Sequence, residues 1–589
     1  MKKIICLLLV FVMVLGLLVG CGAPAEDPAD QTLPTSADNT DKPKGTPSTL
    51  PTLIREDPKD LEWMEDVSPI TFTVFHNNVE LADWQWGNDP VTQYITERTG
   101  VTLNYEFAPD AENNRLTLML ADGDELPDFI SYVGGGSQIV NEMVKGDYIY
   151  AMNELIDTYC PKMYDLMYKE EYTTAADENG NFYVLSNSYV GTEMISSPYS
   201  ITNGQIGIRT DIMRDLGYEM EDLKTQEDLM KFLADFKANW SKYPEIKYPV
   251  LIGPQAIGIG TYAGMYGEAC TLGFYYDKET DSIMNWYERE AGKEQLKFLN
   301  QMYKEGYILP EAMTIARADY AGLLQAGTAL ILMKDNVWET AAANAGLAQS
   351  LPDKKAEMSP IGPITVDENT ERKLFVAAGN PVNMPQGIVI TKDCKDPERA
   401  IKFLEFLRTE EANLTIMCGV YGKDFEIATD DNGVSYPTPI GAAAECGGDY
   451  QKLSEMGIYN YQRTWLCVDG VYDQASVYSA NFSEDLKDIS AGRSLWNETL
   501  DPTVISASTG LVDFPNGSTL ATLYPNVKSI RENFIAKIVL ANNDDEFETY
   551  YQQLITESKK AGSDQMIEIM LPLLHEQLKL RDPDGTFFQ

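Results

Sequence analysis

Apolar positions along this chain switch repeatedly between a period of two and a period of three to four. Residues 70–75 (ITFTVF) and 101–107 (VTLNYEF) follow the shorter period, rich in β-branched and aromatic side chains, and predict strands. Between them Asp89, Pro90 and Gly100 bracket a helix over 90–99: a capping side chain, a first-turn proline and a left-handed residue just past the end. A second helix through Leu116–Leu120 stops at Asp122-Gly123, and PDFISYV (127–133) is a third strand that runs into Gly134-Gly135-Gly136. Strand, helix, strand, helix, strand in that order predicts parallel strands with helices packed on the sheet. Farther along, Thr225 and Asp228 form a variant capping box ahead of a stripe of Leu229, Phe232, Leu233 and Phe236. Leu296, Leu299, Met302 and Tyr303 form another stripe, ended by Gly306, and Asp396-Pro397 opens a third with Ala400, Leu404 and Leu407 inward. Such stripes are core faces. Roughly 520 residues follow the first strand signal, too many for one core, so at least two lobes are expected.

The first twenty residues break this pattern. Lys2 and Lys3 precede an apolar run from Ile4 to Val19, shorter than the about 20 residues of a membrane span, which predicts a secretory signal peptide over 1–20. Leu18-Val19-Gly20-Cys21 resembles the bacterial lipobox, which implies cleavage before Cys21 and a lipid on its thiol. Such an anchor holds a protein at the outer face of the membrane without spanning it. Residues 22–62 contain no aromatic side chain and are rich in Pro, Ala, Thr, Ser and Asp, so 21–66 reads as the lipidated cysteine and a disordered tether. Removing residues 1–20 leaves 44 basic against 90 acidic residues, a formal net charge of −46, which argues against nucleic-acid binding. Six cysteines remain beyond the anchor: Cys160, Cys270, Cys394, Cys418, Cys446 and Cys467. They form no Cys-x-x-Cys motif and are expected to be buried thiols, although Cys418 has Cys446 or Cys467 as a conceivable partner.

A run of segments in order carries a family resemblance: TGVTLNYEF, LTLMLADGDELPDFI, GDYIYAMNELID, NGNFYVLSNS, IGIRTDIMRDLG, LKFLNQMYKEGYILPE, AGTALILM, GIVITKDCKDPERAIKFLEFL and GVYGKDFEI. Together with the closing NFIAKIVLANNDDEFETYYQQLITESKKAGSDQMIEI, they resemble the large solute-binding lipoproteins of ABC importers, the family that includes maltose-binding proteins. The resemblance covers most of residues 69–580. It implies an α/β, two-lobed periplasmic-binding-protein-like fold of type II, with hinged lobes each built on a mainly parallel sheet flanked by helices. By analogy lobe 1 comprises 67–195 and 376–420, and lobe 2 comprises 196–375 and 421–589. It further implies a monomeric receptor that binds an oligosaccharide between the lobes and delivers it to ABC permease subunits, with no cofactor. Many relatives carry a calcium loop after the helix that corresponds to 226–240. KANWSKYPEIKYP lacks the carboxylate spacing for one, so no metal is expected there. In ADENGNFY (176–183) a hairpin turn is expected instead.

Open α/β sheets bind ligands beyond the carboxyl ends of their strands, which points to the loops after Phe75, Val133 and Met333. The first of these, HNNVELADWQWGNDP, holds Asp83, Trp84 and Trp86. Sugars present apolar C–H faces and hydroxyl edges, so aromatic platforms beside Asp, Asn, Gln or Arg are the chemistry they need. Either tryptophan can instead pin the loop to its own lobe. The second loop offers Tyr132, glycine backbone and Gln138, without the lysine spacing of a phosphate loop. In the third, the resemblance places a stacking tryptophan at Trp338, with Asp335 ahead of it; a core role is the alternative. Gln255 and Tyr262 lie in a small-residue-rich segment that reaches the cleft in relatives, while Tyr199, Arg463 and Trp465 complete the candidates. A uronic acid would require Arg463 or Arg209 near the cleft. The two histidines, His76 and His575, form no metal or triad motif. An anchored glycosidase or lyase, or a receptor for a peptide or another polar solute, are the competing readings.

Overall fold

The computed structural model describes residues 42–77, 84–109, 114–123, 125–134, 137–177, 179–187, 205–252, 263–268, 270–313, 317–335, 356–362, 364–371, 387–430, 433–446, 450–458, 469–476 and 518–581, with scattered positions between them. β1 (Ile70–His76) runs parallel to β2 (Val101–Phe107) on one side and to β3 (Phe129–Val133) on the other. α1 (Pro90–Thr99) crosses from β1 to β2, and α2 (Asn114–Asp122) from β2 to β3. The Asp89 side chain accepts the Thr92 N–H at 2.8 Å and so caps α1. Gly100 ends that helix with φ 72°, and a Cβ there would lie 2.2 Å from Val67 O.

β4 (Leu185–Ser186) and the later β12 (Gly387–Ile390) complete this sheet in the order β2-β1-β3-β12-β4. A second sheet has the order β11-β5-β10-β6, from β5 (Gln205–Arg209), β6 (Tyr248–Leu251), β10 (Ala329–Asp335) and β11 (Met358–Pro360), and β7 (Cys270–Thr271), β8 (Phe274–Asp277) and β9 (Ser282–Asn285) form a small antiparallel sheet. Both sheets are mixed, which corrects the expectation of mainly parallel ones. β12 opposes both β3 and β4, and in the second sheet only β10 and β6 are parallel. The cause is the chain path. Gly387 opens β12 opposite Val133 and Ser186, the last residues of β3 and β4. The chain goes on from β4 toward the second sheet at this end and β12 begins there, so β12 must run against β4 and against β3, which points the same way. The same logic holds in the second sheet, where Gln205, the first residue of β5, faces Asp335, the last of β10. The carboxyl ends of β1, β3 and β10 thus lie at the crossings.

Helices α3 (Gln138–Lys145), α4 (Met152–Tyr159) and α5 (Lys169–Ala175) finish the first pass through lobe 1; α6 (Thr210–Asp215), α7 (Gln226–Asn239), α8 (Glu290–Lys304) and α9 (Arg317–Gln325) serve lobe 2. Phe75, Ile130, Val133, Met143 and Val389 centre one core, and Ile208, Phe232, Phe236, Trp286 and Met302 the other. β12 leads into α10 (Pro397–Leu407) and α11 (Glu410–Cys418).

Two domain expectations need correction. Residues 421–476 were expected in lobe 2, yet the hairpin β13–β14 (Phe425–Thr429, Ser435–Pro439) and the helix Gly470–Ser476 sit with α11 of lobe 1. Asp469 N–H donates to Asn413 Oδ1 at 2.8 Å, and the Tyr472 hydroxyl reaches Glu410 at 2.9 Å. The tether expected over 21–66 is contradicted over 43–66. That stretch is a strap whose ends bond together, Gly45 N–H to Met64 O and Val67 N–H to Pro43 O. Buried carboxylates replace the apolar surface that its composition lacks. Glu410 accepts the N–H groups of Leu53, Ile54 and Arg55, while Asp57 accepts those of Glu410 and Glu411. The Trp63 ring meets Phe406 edge-on at 4.9 Å. In ADENGNFY, Asp177 Oδ1 accepts from the N–H groups of Asn179 and Asn181 and shapes a turn.

Candidate functional site

Strand alternation carries a row of aromatic side chains to the crossing end of lobe 1. Phe72, Val74 and His76 share one face of β1; Val101, Leu103, Tyr105 and Phe107 share one face of β2. Register pairs Val74 with Tyr105 and His76 with Phe107, so the two rows lie side by side. The residues nearest the amino ends, Val101 and Leu103, are buried, whereas Tyr105 and Phe107 at the carboxyl end are half-buried. Their rings stack 5.6 Å apart at 18°. Trp84 covers Tyr105 edge-on at 5.2 Å, its Nε1–H donating to Asp89 Oδ2 at 3.2 Å.

His76 closes the row. It is fully buried, its ring 5.5 Å from Phe107 and 5.7 Å from Tyr132. Nδ1 lies 2.9 Å from Ser131 Oγ, and Nε2 has no hydrogen-bond partner among the described residues. Burial pushes its pKa down to about 3, so the imidazole is neutral at any ordinary pH. Tyr132 is reached by a backbone device. Ser131 faces His76, so alternation would send residue 132 to the opposite side of the sheet. A left-handed backbone, φ 65°, instead brings the Tyr132 ring beside His76. A non-glycine residue held there stores strain, a feature that concentrates at functional sites.

The structure sorts the predicted residues. Trp84 and Tyr132 belong to this wall. Trp86 does not: it is 8% exposed, donates from Nε1 to Thr96 Oγ1 at 2.9 Å, and packs on Phe403, so it pins the loop to lobe 1. Gln138 is exposed at the start of α3, and its amide donates to Glu142 on the same helix. Tyr199 is buried, its hydroxyl donating to Ser435 O at 2.5 Å, a contact that fastens the β13–β14 hairpin. Asp335 ends β10 at the crossing end of the second sheet, with its side chain outside the description. Cys21, Asp83, Gln255, Tyr262, Trp338, Arg463 and Trp465 lie outside the described residues. Arg209 is fully buried and grips Asp211 with two bonds of 2.7 Å, so it is not available to a uronic acid. Tyr105 and Phe107 escaped the sequence reading, although an aromatic pair at i and i+2 closing a strand was the available signal. Cys160, Cys270 and Cys394 are buried, and Cys418 and Cys446 are half-buried. Among the described residues no group of three or more His, Cys, Asp or Glu is placed to hold a metal ion.

Comparison with known proteins agrees with this architecture. Alginate-binding protein AlgQ2, solved without calcium ion, superposes with a TM-score of 0.59 at 19% identity, over 86% of this chain and 98% of that one. The Streptococcus pneumoniae ABC-transporter substrate-binding protein FusA, in complex with kestose, gives 0.59 at 16% identity, over 86% and 99%. The N-glycan transport solute-binding protein NgtS of the same species gives 0.53 at 17%, over 87% and 99%. At these identities the likeness is one of fold. No curated protein matches the sequence. The family model for the bacterial extracellular solute-binding protein matches residues 91–423, more than half of the chain. Two mixed-sheet lobes with strand ends gathered at the crossings, and a match across that span, show that this chain belongs to the bacterial extracellular solute-binding protein family.

Proposed function

We propose that this protein is an extracytoplasmic receptor, anchored through a lipid on Cys21, that captures an oligosaccharide between its lobes and delivers it to the permease subunits of an ABC importer. The observation that carries the reading is the aromatic wall of Trp84, Tyr105, Phe107 and Tyr132 at the carboxyl ends of β1–β3. Half-buried rings suit the C–H faces of a sugar. AlgQ2 is named for binding alginate, FusA was solved with kestose, and NgtS is named for N-glycan transport, so the shared fold supports a glycan ligand here. Trp338 and Asp335 then supply the facing half from lobe 2, with Asp83, Gln255, Tyr262, Arg463 and Trp465 as further contacts. Ligand that touches both lobes only in a closed form shifts the population toward closure, which the permease reads.

A thermal-shift screen of glycans followed by calorimetry tests this. Binding of at least one oligosaccharide, with compaction in small-angle scattering, is expected. Failure of every glycan in a broad panel, while a peptide or other polar solute binds, overturns the sugar reading.

A further inference from the structure

The strap meets α10 through three polar side chains spaced three residues apart, Arg399, Lys402 and Glu405, all of them buried. Two of the three face opposite charges. Arg399 lies 3.1 Å from Asp66, and Lys402 lies 2.7 Å from Glu65 and 2.8 Å from Glu398. Glu405 faces another carboxyl group. Its Oε2 accepts the Trp63 N–H at 2.6 Å, and its carboxyl faces that of Glu62. Glu405 Oε1 and Glu62 Oε2 are both buried, and neither has a donor among the described residues. Two ionised carboxylates only accept, so they cannot bond each other. One proton between the two groups turns an acceptor–acceptor contact into a hydrogen bond.

We propose that Glu405 stays protonated at neutral pH and donates to Glu62, and that this pair is a clasp that holds the N-terminal strap on α10 in acid and neutral solution and loosens it in alkali. The surrounding charges are consistent with that chemistry. Among the described residues Lys162 is the cation that contacts the pair, its Nζ 3.6 Å from Glu62 Oε1 and 2.8 Å from Asp60 Oδ2, on the Glu62 side. On α10 itself Lys402 is committed to Glu65 and Glu398. From α1, Arg98 stacks over the Trp63 ring at 5.3 Å and is paired with Glu411. The Cys160 thiol, at the end of α4, is buried beside both acids. Burial first, and Glu62 second, push the Glu405 carboxyl well above the usual carboxylate range. An undocked Glu405 titrates near ~4.3, whereas the docked one keeps its proton to higher pH. Between those values the docked strap binds the extra proton, so docking weakens as pH rises.

Hydrogen-exchange mass spectrometry on the full chain tests the clasp. Peptides over 58–66 are followed from pH 6 to 10, as protection factors corrected for intrinsic exchange, with β1 as the internal reference. Wild-type protection around Trp63 is expected to fall by up to about tenfold per pH unit as pH rises toward the docked Glu405 titration, the slope of one linked proton, and to level off above it. Glu405→Gln supplies a neutral amide that donates to Glu62 while its oxygen accepts the Trp63 N–H, so its protection is expected to stay level; Glu62→Gln should behave alike. A level wild-type profile overturns the proposal, and so does a fall in either glutamine variant as steep as in wild type.

Discussion

Trp84 and Trp86 stand two residues apart, and their surroundings predict opposite consequences for alanine. Trp86 is almost fully buried, so Trp86→Ala removes a whole indole from lobe 1 and costs about 3–5 kcal/mol. The Thr96 hydroxyl that accepts from Trp86 still donates to Val101 O at 2.8 Å, so no donor is orphaned and the loss stays within that packing range. Trp84 is half-buried. Its removal costs one hydrogen bond to Asp89 Oδ2, while Asp89 Oδ1 continues to cap α1 through the Thr92 N–H. About half of the indole surface is lost from contact, which puts Trp84→Ala at about 1–2 kcal/mol. Affinity should follow the reverse order. If the Trp84 ring stacks on sugar, its loss costs about 2 kcal/mol or more of binding energy, about thirtyfold in Kd. Urea unfolding at constant m-value reads stability, and calorimetry with the tightest glycan of the screen reads affinity. A Trp86→Ala protein that keeps its unfolding midpoint but loses affinity would refute the assignment. So would a Trp84→Ala protein that binds like wild type.

Three further outcomes follow from the geometry. Glu171→Ala removes the carboxylate that bonds the buried Arg408 guanidinium and is expected to cost about 3–5 kcal/mol in urea unfolding; a loss under about 1 kcal/mol would show that the other groups around Arg408, Ser186 O among them, satisfy it. Gly100→Ala sets a Cβ against Val67 O at a left-handed position and is expected to lose about 2 kcal/mol or more in the same assay. Asp128 accepts from Thr73 N–H, Thr73 Oγ1–H and Lys395 N–H, and burial, which would raise its pKa, is outweighed, so it titrates below the usual carboxylate value. Around pH 4 the unfolded chain then binds more protons than the folded one, so stability rises with pH there. Asp128's contribution is present above about pH 3.9 and is lost as pH falls through its folded value. Asp128→Asn should therefore flatten the acid limb of a urea-midpoint profile from pH 5 to 2, and an unchanged limb would refute the assignment.

The first sheet was legible because each element announces itself locally. β1 and β2 carry their own two-residue alternation, and α1 carries its own cap and stop. Strand direction is not a local property. GIVI at 387–390 is buried at every position and shows no alternation, and whether it runs with or against β3 depends only on which lobe the chain comes from. The allocation of 421–476 failed for a similar reason. What binds that segment to lobe 1 is a set of side-chain contacts from Asn413 and Glu410, invisible in the segment's own pattern.

The strap shows how two local readings can each be reasonable and jointly wrong. Ala400, Leu404 and Leu407 read as the one inward stripe of α10, which leaves Arg399, Lys402 and Glu405 outside it; residues 43–62 lack aromatic side chains and read as a solvated linker. Each reading assumes that the other segment is elsewhere. In the structure the two polar surfaces cover one another, with charges matched at Asp66 and Glu65 and the buried carboxyl of Glu405 facing Glu62. The site divides along the same line. Trp84 was legible because two tryptophans in a loop after a strand are an unusual use of apolar surface. Tyr105 and Phe107 become a wall only once β2 is placed beside β1 in register, and Tyr132 joins them only through a left-handed turn that no periodicity encodes. Pattern finds residues that face a core, whereas a binding wall consists of those left half-covered where the core stops at the lobe crossing.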